Sequence, residues 1–265
     1  MRAARLNGAL IHFREDGDPG GRPLLLINSL GTDLRVWDKL VPLLPDGLRL
    51  IRYDKRGHGL SELTPGPYAI DQLADDAAAL LDHLDLREAI LVGLSIGGLI
   101  GQSLAARRPE LVRALVLMDT AAKIGDAEMW AERIATVEAS GIEALADAVM
   151  QRWFSEGFAA HHAEEMAAWR NMLTRTPDAG YAACSAAIAA ADFTETTRRL
   201  TIPVLAMAGD EDGSTPPDLV SATADLVEGS RYETIEQAGH LPGVERPHAV
   251  AGLILGFLQD HGLAD

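Results

Sequence analysis

The stretch Ala89-Ile90-Leu91-Val92-Gly93-Leu94-Ser95-Ile96-Gly97-Gly98-Leu99-Ile100-Gly101-Gln102 decides the reading of this chain. Ala89 to Val92 is a short apolar run of the kind that forms a buried strand, and Leu99 to Ala106 has the composition of a buried helix. Between them Ser95 stands with a glycine two residues to either side. A serine on so sharp a strand-to-helix turn is forced into strained backbone geometry, and the glycines remove the Cβ atoms that would collide. The helix that follows aims its N-terminal N–H groups and positive dipole end at the serine. This is the context of a nucleophile elbow, in which oxyanion charge develops beside that helix end.

Outward from the elbow, apolar runs alternate with helical patterns, as a mostly parallel sheet with crossover helices requires. Buried strands are expected at Leu24 to Ile27, Leu48 to Ile51, Ala114 to Met118 and Val204 to Ala208, with a further strand at Tyr232 to Ile235. Ala3 to Leu6 and Leu10 to Arg14 flank Asn7-Gly8, a two-residue hairpin signal, and Asp16 to Pro23 reads as a loop. Ile70, Leu73, Ala77, Leu80, Leu81 and Leu84 share one helix face, opposite Asp75, Asp76 and Asp82. Pro247 opens a last helix that buries Val250, Leu253, Ile254, Phe257 and Leu258.

Residues 123–194 break the alternation. They hold only helical patterns and three of the four tryptophans, Trp130, Trp153 and Trp169. Inserted between two strands, such a segment reads as a helical cap over the carboxyl edge of the sheet, where open α/β sheets bind ligands. The expected organisation is a core of residues 1–122 and 195–265 with a cap of 123–194.

A serine nucleophile needs a general base and an orienting acid, which follow the elbow in the order acid then histidine. His240, after the strand Tyr232 to Ile235, is the base candidate. Asp210, Glu211 and Asp212 compete for the acid, and Asp212, on the loop beyond the strand end, is the choice. The backbone N–H groups of Leu30, on the loop after Leu24 to Ile27, and of Ile96 would form the oxyanion hole. His58, in Tyr53-Asp54-Lys55-Arg56-Gly57-His58-Gly59, reads as a structural hydrogen-bonding residue, and His12, His83, His248 and His261 as surface positions. No histidine and carboxylate cluster has metal-ligand spacing, so neither metal nor cofactor is expected.

Composition narrows the partners. With 23 Lys plus Arg against 39 Asp plus Glu among 265 residues, the net charge is -16, which repels a nucleic-acid backbone. Polar residues interrupt every apolar stretch before membrane-spanning length, so no membrane partner is expected. Cys184 is the only cysteine, which excludes an intramolecular disulfide and suits a reducing, cytoplasmic setting. Nothing in these features bears on oligomeric state.

Several longer stretches resemble the 3-oxoadipate enol-lactonases of the α/β-hydrolase superfamily. They are Asn28 to Leu34 with Trp37-Asp38, Arg52-Tyr53-Asp54, Arg56 to Gly59, Gly66-Pro67-Tyr68, Val92 to Gln102 and Asp119 to Ile124. In the expected cap, Trp130, Arg152-Trp153-Phe154, Gly157-Phe158-Ala159 and Gly180-Tyr181-Ala182 are similar too. Two places depart from the pattern: Asn28-Ser29 stands where most relatives have His-Gly, and Pro242-Gly243 is not the usual pair. The resemblance implies an α/β-hydrolase fold of eight mostly parallel strands with helices on both faces. It also implies ring opening of a small anionic lactone through a Ser95 acyl enzyme, in aromatic catabolism. A carboxylesterase or carbon-carbon bond hydrolase would share the triad, and a non-catalytic ligand-binding protein would not need it. Because the lactone carries a carboxylate, the pocket must supply local positive charge or strong donors. Arg133, three residues after Trp130, is the candidate clamp with Trp130 and Trp153 as substrate-binding partners, the alternative being a solvated Arg133 and a Trp130 that only fills the cap core.

Overall fold

The structure, a computed structural model, describes residues 1–264. Eight strands form one sheet: β1 (Arg2–Leu6), β2 (Ala9–Gly17), β3 (Arg22–Ile27), β4 (Leu48–Tyr53), β5 (Ala89–Leu94), β6 (Val112–Met118), β7 (Val204–Gly209) and β8 (Arg231–Ile235). Their order is β1-β2-β4-β3-β5-β6-β7-β8. β1 with β2 and β2 with β4 are antiparallel, and every other pair is parallel. All residues of β5 and β7 are buried, which is why these strands read as unbroken apolar runs.

The helices are α1 (Ile70–His83), α2 (Ile96–Arg107), α3 (Ala127–Ser140), α4 (Ala146–Trp153), α5 (Glu156–His161), α6 (Ala163–Thr174), α7 (Asp178–Ala189), α8 (Thr194–Arg198), α9 (Pro217–Ala224), α10 (Pro242–Glu245) and α11 (Pro247–Asp260). α2 packs on β5 and β6 with α1 beside it, and α9 packs on β7 and β8. No helix among the described residues is long and apolar enough to cross a membrane.

Three local expectations need correction, each for an electrostatic reason that apolar patterning does not carry. The Asn7-Gly8 turn is present, with φ of 45° and 80° as a two-residue hairpin needs, but β2 continues through Asp16 to Gly17 instead of yielding to a loop. Arg52 on β4 lies 2.8 Å from Asp16 and 2.5 Å from Asp38, and Arg49 lies 2.5 Å from Glu15, so cross-strand ion pairs hold the extension. Asp76 is not on the solvent face of α1. It is buried against Arg56, at 2.5 and 2.6 Å, and accepts from Asn7 at 2.8 Å. His12 is not a surface residue either, since its ring is largely covered and its Nδ1 lies 2.8 Å from Asp54 Oδ2.

Helices α3 to α8 fall between β6 and β7 and pack among themselves, α3 on α7 and α4 on α6. The end of α4 lies on the loop that follows β8: Leu241 N–H donates to the Trp153 carbonyl at 3.2 Å. Glu245 ties the same two segments by accepting from the Ser155 hydroxyl at 2.5 Å and from Gly239 N–H at 2.7 Å. A Cβ on Gly239 would stand 2.8 to 2.9 Å from the backbone of Trp153, Phe154 and Ser155, so only glycine permits this approach.

Candidate active site

Ser95 sits between β5 and α2 with φ 57° and ψ -119°, a left-handed conformation that a serine adopts only under constraint. The constraint is visible on both sides. Ser95 N–H donates to Met118 O at 2.9 Å, and Thr120 Oγ1 donates to the Ser95 carbonyl at 2.6 Å. The flanking glycines are sterically required: a Cβ on Gly93 would lie 2.4 Å from Gly97 O, and one on Gly97 would lie 2.1 Å from Ile27 O. α2 begins at Ile96, earlier than the apolar pattern from Leu99 suggests, so the Ile96 N–H is a free helix-start donor beside Ser95.

Asp212 and His240 arrive from the loops after β7 and β8, and parallel pairing of these strands brings the two loops to the same sheet edge. His240 Nδ1 lies 2.9 Å from Asp212 Oδ2. Asp212 also accepts from Thr215 Oγ1 at 2.6 Å and from Ser214 N–H at 2.7 Å. Burial alone would raise its carboxyl, but the charge and hydrogen bond of His240, helped by Thr215 and Ser214, hold it at about 2. Asp210 and Glu211 do not reach His240. Asp210 accepts from Ala238 N–H at 3.2 Å and Glu211 from Glu156 N–H at 3.0 Å, so both brace loops.

One cavity of about 230 Å³ is lined by Ser95 and His240, by Ser29 and Leu30 of the loop after β3, and by Trp130, Arg133, Arg152, Trp153 and Tyr181 of the helical insert. Ser95 Oγ makes no hydrogen bond to His240 among the described residues, although both residues line the same cavity. Arg133 stacks its guanidinium 5.2 Å from the Trp130 ring centre, and Trp130 is fixed by its own Nε1–H to Ile124 O at 2.7 Å. The expected Arg133 and Trp130 pairing is therefore present, on a wall that also includes Trp153.

Three residues beyond the sequence expectations belong to this region. Arg152, an exposed residue, lines the cavity with the half-buried Arg133, and among the described residues neither lies within 4.0 Å of a carboxylate. The signs available in the sequence were its place beside Trp153 and the resemblance carried by Arg152-Trp153-Phe154. Thr215 ties Asp212 in place. Asp119, directly after β6, is fully buried, and its Oδ1 accepts from Gly209 N–H at 2.9 Å while Oδ2 has no partner. Burial, reinforced by the neighbouring Asp212 carboxylate, pushes the Asp119 carboxyl well above its ordinary range.

Asp119, Asp212 and His240 each present one ligand atom within 4.8 Å of the others, a grouping that spacing along the chain does not reveal. His240 Nδ1 and Asp212 Oδ2 are already engaged with each other. His58 and Cys184 are buried: His58 Nε2 accepts from Gly31 N–H at 3.0 Å, and Cys184 is a free thiol in the core.

Comparison with known proteins places these features in context. Residues 22–247 match the alpha/beta hydrolase fold family. The chain is 40% identical over 243 residues to 3-oxoadipate enol-lactonase 2 of Acinetobacter baylyi, covering 89% of this chain and 90% of that one. It is similar to the crystal structure of the enol-lactonase from Burkholderia xenovorans LB400, with a TM-score of 0.94, 37% identity, and 97% and 100% of the two chains covered. A thermophilic esterase from Thermogutta terrifontis, solved with malate bound, gives a TM-score of 0.92 at 29% identity over 98% and 99% of the chains.

Proposed function

Because the chain belongs to the alpha/beta hydrolase fold family, a hydrolase fold it shares with enol-lactonases, we propose that it opens the lactone ring of 3-oxoadipate enol-lactone to give 3-oxoadipate. In this reading Ser95 attacks the lactone carbonyl while His240 takes its proton, oriented by Asp212 through the Nδ1 hydrogen bond. The Leu30 and Ile96 N–H groups receive the oxyanion. The ring oxygen leaves as an enolate, which becomes a ketone on protonation and so draws the opening forward. Water activated by His240 then cleaves the acyl enzyme and restores the serine.

The observation that carries the substrate class is the pair of arginines. In a chain of net charge -16, Arg133 and Arg152 both line one cavity and have no carboxylate partner among the described residues, an arrangement suited to a substrate carboxylate. Residues 123–194 act as the cap that presents them. Cys184, the single cysteine and a buried free thiol, suits a cytoplasmic setting, and the proposed reaction would belong to aromatic catabolism.

The test is the ultraviolet loss of the enol-lactone with purified wild type and Ser95→Ala. Turnover by wild type and none by the variant is the expected result. No turnover by wild type overturns the lactonase reading, and hydrolysis of uncharged esters in its place assigns a carboxylesterase. Undiminished turnover by Ser95→Ala overturns the serine mechanism.

A further inference from the structure

Lys55, two residues past the end of β4, is 1% exposed and has no carboxylate within 4.0 Å among the described residues. An isolated buried ammonium is costly unless its donors are engaged. Here they are engaged by backbone: Lys55 Nζ lies 2.5 Å from the Ser29 carbonyl oxygen and 3.4 Å from that of Thr32. The Ser29 oxygen also accepts from Thr32 Oγ1 at 2.9 Å and Thr32 N–H at 3.3 Å. Three donors, one of them a full positive charge, thus converge on a single peptide carbonyl.

The other end of that peptide is the Leu30 N–H, and Leu30 lines the cavity that Ser95 also lines. Because the peptide unit is a resonance system, drawing electron density onto the Ser29 oxygen makes the Leu30 N–H more positive and keeps the plane fixed. The neighbouring groups leave this arrangement intact. Asp54 is occupied by Leu34 N–H, Leu60 N–H and His12, and Asp33 by Arg35. Cys184 and His58 are buried beside it and uncharged: burial pushes the thiol up to about 12, and burial together with Lys55 pushes the imidazole well down.

We propose that Lys55 is a positioning residue for the oxyanion hole, acting through the Ser29–Leu30 peptide to aim and polarise the Leu30 N–H. This rests on the reading of Ser95 as nucleophile and Leu30 as oxyanion donor. It has a consequence that a simple loop brace lacks. Burial lowers Lys55 to about 8, so its charge, and the polarisation with it, is lost on the alkaline side of neutrality.

Wild type, Lys55→Met and Lys55→Arg would be compared with p-nitrophenyl acetate, measuring acylation rate and KM from about pH 6 to about pH 10, with Ser95→Ala as the control. Melting temperature would be recorded for each variant. Lys55→Met is expected to lose roughly 10- to 100-fold in acylation rate near pH 7 with KM within about twofold, less than the loss of an entire oxyanion donor. The wild-type rate should fall several-fold around pH 8. That limb should be absent from both variants over this range, because Lys55→Met has no charge to lose and the guanidinium of Lys55→Arg stays charged throughout. Wild-type acylation by Lys55→Met, or a wild type with no alkaline limb up to about pH 10, overturns the proposal while Ser95→Ala remains inactive. Because the second outcome needs only the wild-type protein, it decides the matter even if neither substitution folds. An active Ser95→Ala overturns the site reading, and this proposal with it.

Discussion

Arg133 and Arg152 reach the same cavity from different helices, α3 and α4, and their separate removal distinguishes recognition from catalysis. A hydrogen bond to a charged group contributes about 1.5–3 kcal/mol, so either Arg→Ala change should raise KM for the carboxylated lactone by roughly 10- to 100-fold. The same changes should leave KM for p-nitrophenyl acetate nearly untouched, and steady-state kinetics on both substrates checks the contrast. Asp119 makes a prediction of a different kind. Its carboxyl is raised in the fold but ionises in the unfolded chain above about pH 4, so stability falls as pH rises from there. Asp119→Asn removes the cost and should melt increasingly above wild type between about pH 4 and pH 7, by calorimetry. Glycine spacing and strand ends singled out Ser95, His240 and Asp212 as candidates, and the fold brings Ser95 and His240 to one cavity with Asp212 paired to His240. Asp119 and Lys55 were not singled out, because their significance depends on which loops the sheet register brings together.

At the scale of the element, strands and helices were legible where burial is continuous, and less so at their ends. β5 and β7 could be read from their apolar runs alone, whereas β2 extends three residues further than expected because Arg49 and Arg52 hold its acidic end. Apolar periodicity located α1 and α11, yet it assigned Asp76 to the wrong face, since a buried ion pair imitates a solvated residue in sequence. The glycines of two helices separate these effects experimentally. On α2, Gly97→Ala forces a Cβ to within 2.1 Å of Ile27 O and should destabilise by about 3 kcal/mol or more in urea titration. On α11, Gly252 has nothing within 4 Å of the equivalent position, so Gly252→Ala should stabilise by up to about 1 kcal/mol.

For the molecule as a whole, the net charge of -16 and the two arginines act on an anion at different ranges. The surface field repels it during approach and is screened beyond about 8 Å at physiological salt, whereas contact with a guanidinium is screened less. Raising salt from about 0.05 to 0.5 M should therefore increase kcat/KM for the anionic lactone by about two- to fivefold, with no comparable gain for p-nitrophenyl acetate. The seam at Gly239 acts at this scale too. There the end of α4 and the loop bearing His240 share the Leu241 to Trp153 hydrogen bond and the bridge through Glu245. The insert and the proposed base are consequently one heritable module. A chimera that imports a foreign insert without residues 237–245 would inherit new walls for the pocket but forfeit the seat of its histidine, so new specificity must be exchanged as that pair of segments together.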